Sequence, residues 1–126
     1  YLEHAQKIAN FMINHPNLPK DKIPYWDFSK PGEERDASAG AITSSALFEL
    51  ADYSKRKLRN QYRSVATQML TSLTTPAYKA KLGENNNFLL MHSTGHKPGN
   101  SEVNTPIVYA DYYFLEALHR YKNLTK

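Results

Sequence analysis

Cysteine is absent from the 126 residues, which removes disulfides, thiolate nucleophiles and thiolate zinc sites together. The compartment stays open, because oxidising compartments also hold cysteine-free proteins. Long apolar runs are lacking as well: none approaches the ~20 residues of a membrane-spanning helix, and no basic-then-apolar leader opens the chain. Nor is there a strong excess of one charge. Sixteen Lys plus Arg stand against 12 Asp plus Glu, a surplus of +4 with a pI of about 9.2, and no basic run is interleaved with aromatics in the manner of a nucleic-acid footprint. The expected partners therefore include no nucleic acid and no membrane. What is present is 40% hydrophobic and 22% charged residues, with nine Tyr, five Phe and one Trp, a composition of one folded domain's worth of chain.

Apolar periodicity predicts four helices. Leu2, Ala5, Ile8, Ala9 and Met12 recur at three and four and lay one stripe along a first helix, which Asn14, His15 and Pro16 end. Its opening, Tyr1-Leu2-Glu3-His4, has neither an initiator Met nor a capping side chain. The helix reads as starting in mid-stride, after a trimmed leader or as the carboxy-terminal part of something longer. A second helix runs from Asp36 or Ser38 as cap to about Tyr53, with Ile42, Ala46, Leu47, Leu50 and Ala51 as its apolar side. Its first turns are small residues, Ala39 to Ala41 and Thr43 to Ser45. A helical glycine costs about 1 kcal/mol against alanine, so Gly40 predicts the close approach of another group to an inner helix. Ser54 is a candidate cap for a third helix carrying Leu58, Tyr62, Val65, Ala66, Met69, Leu70 and Leu73, with Arg56, Arg59 and Arg63 on a solvated opposite side. The fourth spans Ile107 to Tyr121. Between them lie two long loops, one with four prolines (16, 19, 24 and 31) and the cluster Tyr25-Trp26-Asp27-Phe28. The other holds Phe88-Leu89-Leu90-Met91 as a short strand or buried extended piece. No internal repeat is detectable by spacing.

Chemistry concentrates in the loops. His92 and His96 have the helical spacing of two zinc ligands, but Gly95 and Lys97-Pro98-Gly99 oppose a helix there, and no third ligand is near in sequence, so no metal site is assigned. The segment His92-Ser93-Thr94-Gly95-His96-Lys97 offers hydroxyls, imidazoles, a cation and exposed amides, which suits recognition of sulfate, carboxylate or sugar hydroxyls. Trp26 beside Asp27 suits a platform for a pyranose ring. No serine has a recognisable base and orienting acid. Among the carboxylates, Asp27, Glu33, Glu34 and Asp36 have the chemistry for acid–base work, against the plainer readings of Asp36 as a helix cap or partner of Arg35 and of Glu33 and Glu34 as solvated. Asn123-Leu124-Thr125 has the form of a glycosylation sequon and is read as incidental.

Three blocks together resemble a known family. Tyr25-Trp26-Asp27-Phe28, followed by Arg35-Asp36-Ala37-Ser38-Ala39-Gly40-Ala41-Ile42 and Phe48-Glu49-Leu50, is similar to the carboxy-terminal half of glycoside hydrolase family 88, the unsaturated glucuronyl hydrolases. His92-Ser93-Thr94-Gly95-His96-Lys97-Pro98 and Tyr109 to Leu118 agree with it, in the family's order and spacing, so the resemblance runs over essentially the whole chain.

The resemblance implies an all-α fold, part of a six-hairpin α/α toroid, with residues 1–126 as the carboxy-terminal part of a single catalytic domain. It implies action on the unsaturated uronate-containing oligosaccharides that polysaccharide lyases leave. An aspartate protonates the C4=C5 bond and activates a water that adds at C5, with no metal or organic cofactor. In the family the catalytic aspartate lies upstream of the matched region. The role is therefore transferred to none of Asp27, Asp36, Asp52 or Asp111, and the chain alone is expected to be inactive without the amino-terminal part. The expected substrate-binding residues are Trp26, from its own chemistry, and His92, Ser93, Thr94, His96 and Lys97, whose loop matches the family's pocket mouth. His96 stands at a family serine position, a departure that bears on sulfate preference. The family context suggests a bacterial periplasm or cytoplasm. The alternative is a free-standing helical module that binds carbohydrate or protein without catalysis.

Overall fold

A computed structural model of the protein describes residues 1–124, so Thr125 of the sequon lies outside the described residues. Four helices form where the periodicity places them: α1 over Leu2–Ile13, α2 over Ala37–Asp52, α3 over Arg56–Leu73 and α4 over Val108–Leu124. A short turn at 53–55 joins α2 to α3, whereas 23 and 34 residues' worth of loop, 14–36 and 74–107, gather at the other end of the helices.

Helix α2 is the hub, with α3 on one side and α4 on another. The pairs Ser45–Glu116 and Glu49–Arg120 (2.8 Å) advance together along α2 and α4, so these two run parallel. The α1 and α3 helices run antiparallel to α2, and Gln6 of α1 donates to Ser54 at 3.2 Å beyond the end of α2. Small residues let the neighbours close in. Ala37, Ala41 and Ala51 are fully buried, and Ser44 is satisfied by the Ala66 carbonyl at 2.9 Å, as a buried hydroxyl requires. Gly40 has its predicted close neighbour: a Cβ there would meet Ile23 Cδ1 at 2.8 Å, so the visitor is a side chain from the first loop. Phe48, Tyr62, Met69, Leu73, Leu90 and Phe114 complete the core.

Several expectations are corrected in detail. On α2, Ile42 and Ala46 face outward, while Leu47, Phe48 and Ala51 are buried. With α3 and α4 both packed on it, the buried sector is wider than one stripe. The α1 stripe is also turned: of Leu2, Ala5, Ile8, Ala9 and Met12 only Ala9 is buried, because the helix meets its neighbours through Gln6, Asn10 and Ile13. Lys55, not Ser54, is the cap position of α3, and the Ser54 hydroxyl turns back to the Leu50 carbonyl at 2.7 Å. Arg59 and Arg63 are not merely solvated. They reach the carboxyl end of α2, where Arg59 donates to the Ala51 carbonyl (3.3 Å) and Arg63 pairs with Asp52 (2.8 Å), a favourable place for cations at a helix terminus. Phe88 to Met91 forms no regular strand. It pairs briefly with 78–80, and Asp111 accepts from the Leu89 and Leu90 amides at 2.7 and 2.9 Å.

Candidate functional site

Both long loops meet over the amino end of α2, and Asp36 is the joint. Its carboxylate caps the helix by accepting from Ser38 N (3.0 Å) and Ser38 Oγ (2.5 Å), and the same oxygen accepts from the Thr94 amide (3.2 Å) of the second loop. The cap reading of Asp36 therefore holds, whereas Arg35 pairs elsewhere. Its guanidinium donates to Asp21 at 2.6 Å, reaches the Ile23 carbonyl and lies over the Tyr25 ring at 5.0 Å. Tyr78 also donates to Asp21, at 2.7 Å. Burial pushes the Asp21 carboxyl up, but the hydrogen bonds from Tyr78, Arg35 and the Ile23 amide outweigh it and hold the group below its usual range. Burial and the same carboxylate push the Tyr78 phenol upward.

Residues 92–105 form a small hairpin, with antiparallel bridges at Ser93–Thr105 and His96–Ser101 and a 3-10 turn at Lys97–Gly99. A zinc pair on a helix is thus absent from His92 and His96. The His92 backbone is left-handed at φ 64°, as are Asn100, Glu102 and Asn104. For His92 and Glu102 that conformation is uncommon and needs support from surrounding contacts. The support is visible: the His92 carbonyl accepts from the Ala37 amide at 3.0 Å, and its ring Nδ1 lies 2.6 Å from Asn104 Oδ1.

The six sequence candidates separate into three groups. Trp26 and Lys97 come together, the ammonium lying 5.6 Å from the centre of the indole ring. Both hold Glu33, through Trp26 Nε1 and Lys97 Nζ at 2.8 and 2.7 Å, and Lys97 also bridges to Glu34. Hydrogen bonds from Lys97 lower the pKa of both glutamates, with Trp26 helping at Glu33, and they in turn raise that of Lys97. Glu33 and Glu34 are therefore partners in a cluster, which sequence reading missed because it treated them as solvated. Their signal was two carboxylates within eight residues of Trp26. His92 and His96 sit on the hairpin, His96 with its ring against the Gly99 backbone, where a Cβ would lie 2.5 Å away. Ser93 and Thr94 are buried. Thr94 Oγ1 donates to the Arg35 carbonyl at 3.1 Å, while Ser93 Oγ has no hydrogen-bond partner among the described residues.

Each of Asp21, Asp27, Glu33, Glu34, Asp36 and Asp111 is engaged by donors from its surroundings. Carboxylates bound in this way favour the ionised form, which suits holding loops and presenting an aromatic face more than delivering a proton. Among the described residues no three His, Asp or Glu side chains gather as a metal cluster, and no helix is long and apolar enough to cross a membrane.

No protein-family model matches the chain. Individual proteins do. An unsaturated glucuronyl hydrolase of Formosa agariphila is 51% identical over 127 residues, covering 98% of this chain and 31% of the relative. That of Bacillus sp. strain GL1 is 34% identical over 94% of this chain and 32% of its own length. A crystal structure of an unsaturated glucuronyl hydrolase specific for heparin superposes with a TM-score of 0.94 at 46% identity, over 98% of this chain and 34% of that one. A Streptococcus agalactiae enzyme complexed with dGlcA-GalNAc6S superposes at 0.82 and 29% identity, over 90% and 31% of the two chains. The class follows from the fold: four helices that match part of a larger hydrolase. The particular family is glycoside hydrolase family 88, to whose unsaturated glucuronyl hydrolases this chain is homologous. It spans about a third of the length of the curated relatives it matches.

Proposed function

We propose that residues 1–126 are the carboxy-terminal part of a single six-hairpin α/α-toroid domain that removes the terminal unsaturated uronic acid from lyase-generated oligosaccharides. The observation that carries this reading is the superposition of nearly the whole chain on a hydrolase of the family, at a TM-score of 0.94. In the proposed reaction an aspartic acid outside this chain donates a proton to C4 of the unsaturated ring, and water activated by the resulting carboxylate adds at C5. The hemiketal opens and the glycosidic bond is lost. This chain supplies helices α1 to α4 and the loops at the mouth. Trp26, His92, Ser93, Thr94, His96 and Lys97 belong to its substrate-binding rim, with Trp26 and His92 in direct reach of sugar and Ser93 and Thr94 shaping the hairpin from below. Support comes from the gathering of both loops over one end of the helices, where pockets in such scaffolds are built.

The test compares two proteins on an unsaturated disaccharide. One is the chain alone; the other is the Formosa agariphila enzyme with this chain in place of its matched segment. The hybrid is expected to hydrolyse the disaccharide and the chain alone is expected to be inert. Turnover by the chain alone overturns the placing of the acid, and a folded but inert hybrid overturns the function.

A further inference from the structure

The largest cavity lies away from the loops, between α1 and α2. It is an open groove of about 570 Å³ whose walls are Ala5, Ile8 and Met12 on one side and Ala39, Ile42 and Ala46 on the other. Ile8 is 49% exposed and Ile42 37%. The groove continues along α2 to Tyr53, so its axis is about 21 Å long at 1.5 Å per residue. Contiguous apolar surface of this kind marks a docking face. Two features identify the occupant. First, α2 already takes one parallel helix, α4, against its Ser45 and Glu49 side, and the alanines on its groove side allow the same 8–10 Å approach. Second, the superposed hydrolase leaves two thirds of its own chain outside the match, and that remainder has to pack against something.

We infer that the α1–α2 groove is the seat of a further helix from the unmatched part of the hydrolase fold, lying along α2 as α4 does on its other side. The inference rests on the proposed function and deepens it by naming the surface through which the remaining fold is joined. The occupant is a helix with an apolar stripe of large side chains, which would fill the space above Ala39 and Ala46. Without it Ile8, Ile42 and Tyr53 remain in water.

The absence of cysteine makes a direct test available. Ala46→Cys and Ile8→Cys each place one thiol in the groove, and Leu82→Cys, at a fully exposed loop position, serves as control. Maleimide labelling is followed by peptide mass spectrometry in the chain alone and in the Formosa agariphila hybrid. At both groove positions the hybrid is expected to label at least tenfold more slowly than the chain alone, with Leu82→Cys equally fast in both. Equal labelling at both groove positions overturns the inference. Protection of the chain alone that grows with its own concentration also overturns it, by naming a second copy as occupant. Protection without hydrolysis leaves the groove assignment standing and sinks the proposed activity; hydrolysis by a hybrid with an unprotected groove does the reverse.

Discussion

Asp21→Asn is the substitution that most directly probes how the first loop is held. Asp21 accepts from Arg35 at 2.6 Å, Tyr78 Oη at 2.7 Å and Ile23 N at 3.2 Å. The asparagine keeps the shape but turns an amide toward two donors and leaves the guanidinium without its counter-charge. Breaking a buried pair costs about 3–5 kcal/mol and an exposed one about 0–1 kcal/mol. With side chains 35% and 24% exposed, the pair lies between, at about 2 kcal/mol. At ~2.1 cal/mol/K per residue over 126 residues, that lowers the melting temperature by about 8 °C. The pH dependence has a definite sign. Asp21 has its folded pKa depressed, so its contribution is complete above the unfolded value near 3.8 and is lost as pH falls through the lower folded value. Circular dichroism melts from pH 7 down to pH 2.5 should show the two proteins converging at the acid end. A variant that melts within a degree of the parent at pH 7, or a gap that persists unchanged into acid, would refute the account of Asp21 as the charged anchor.

Gly40→Ala should destabilise despite the better helix former. The new Cβ meets Ile23 Cδ1 at 2.8 Å, and Ile23 is fully buried and cannot swing aside. Overpacking of about 1–3 kcal/mol outweighs the ~1 kcal/mol propensity gain, and urea denaturation should show Ile23→Val partly restoring the double variant. Lys97→Met should release the bridge to Glu33 and Glu34, so that amide exchange over residues 95–101 speeds up by about tenfold with little change in the global melt. Because Lys97 lowers both glutamate pKa values, the bridge should persist just below the ordinary carboxylate range and open as pH falls through the depressed values. Exchange that is equally slow in the variant would show that the hairpin ladder alone holds the loop.

The helices were legible because each carries its period locally. The unbroken run from Leu58 to Leu73 and the small-residue start of α2 needed no tertiary knowledge, and Asp36 declared itself as a cap. The orientation of those helices was less legible. Ile42 and Ala46 look like core residues by composition, yet they line an open groove, since the periodic pattern reports apolar sectors without saying which neighbour covers each. Of the rim residues, Trp26 and Lys97 were named but not joined. They are 71 positions apart, and only the folding of one loop onto the other puts an ammonium near an indole with Glu33 between them.

The sequence by itself determined the helical class, the two long loops, the tolerance for a close neighbour at Gly40 and the family resemblance, all of which rest on local spacing or on strings of adjacent residues. Tertiary structure alone decided that Arg35 pairs with Asp21, that Asp36 serves both a helix and a distant hairpin, that Lys97 is bound by two glutamates, and that one side of α2 is left open. The physical reason is common to all four. Charges and apolar surface choose partners by distance in space, and distances between loops are set only when α2 has gathered its neighbours.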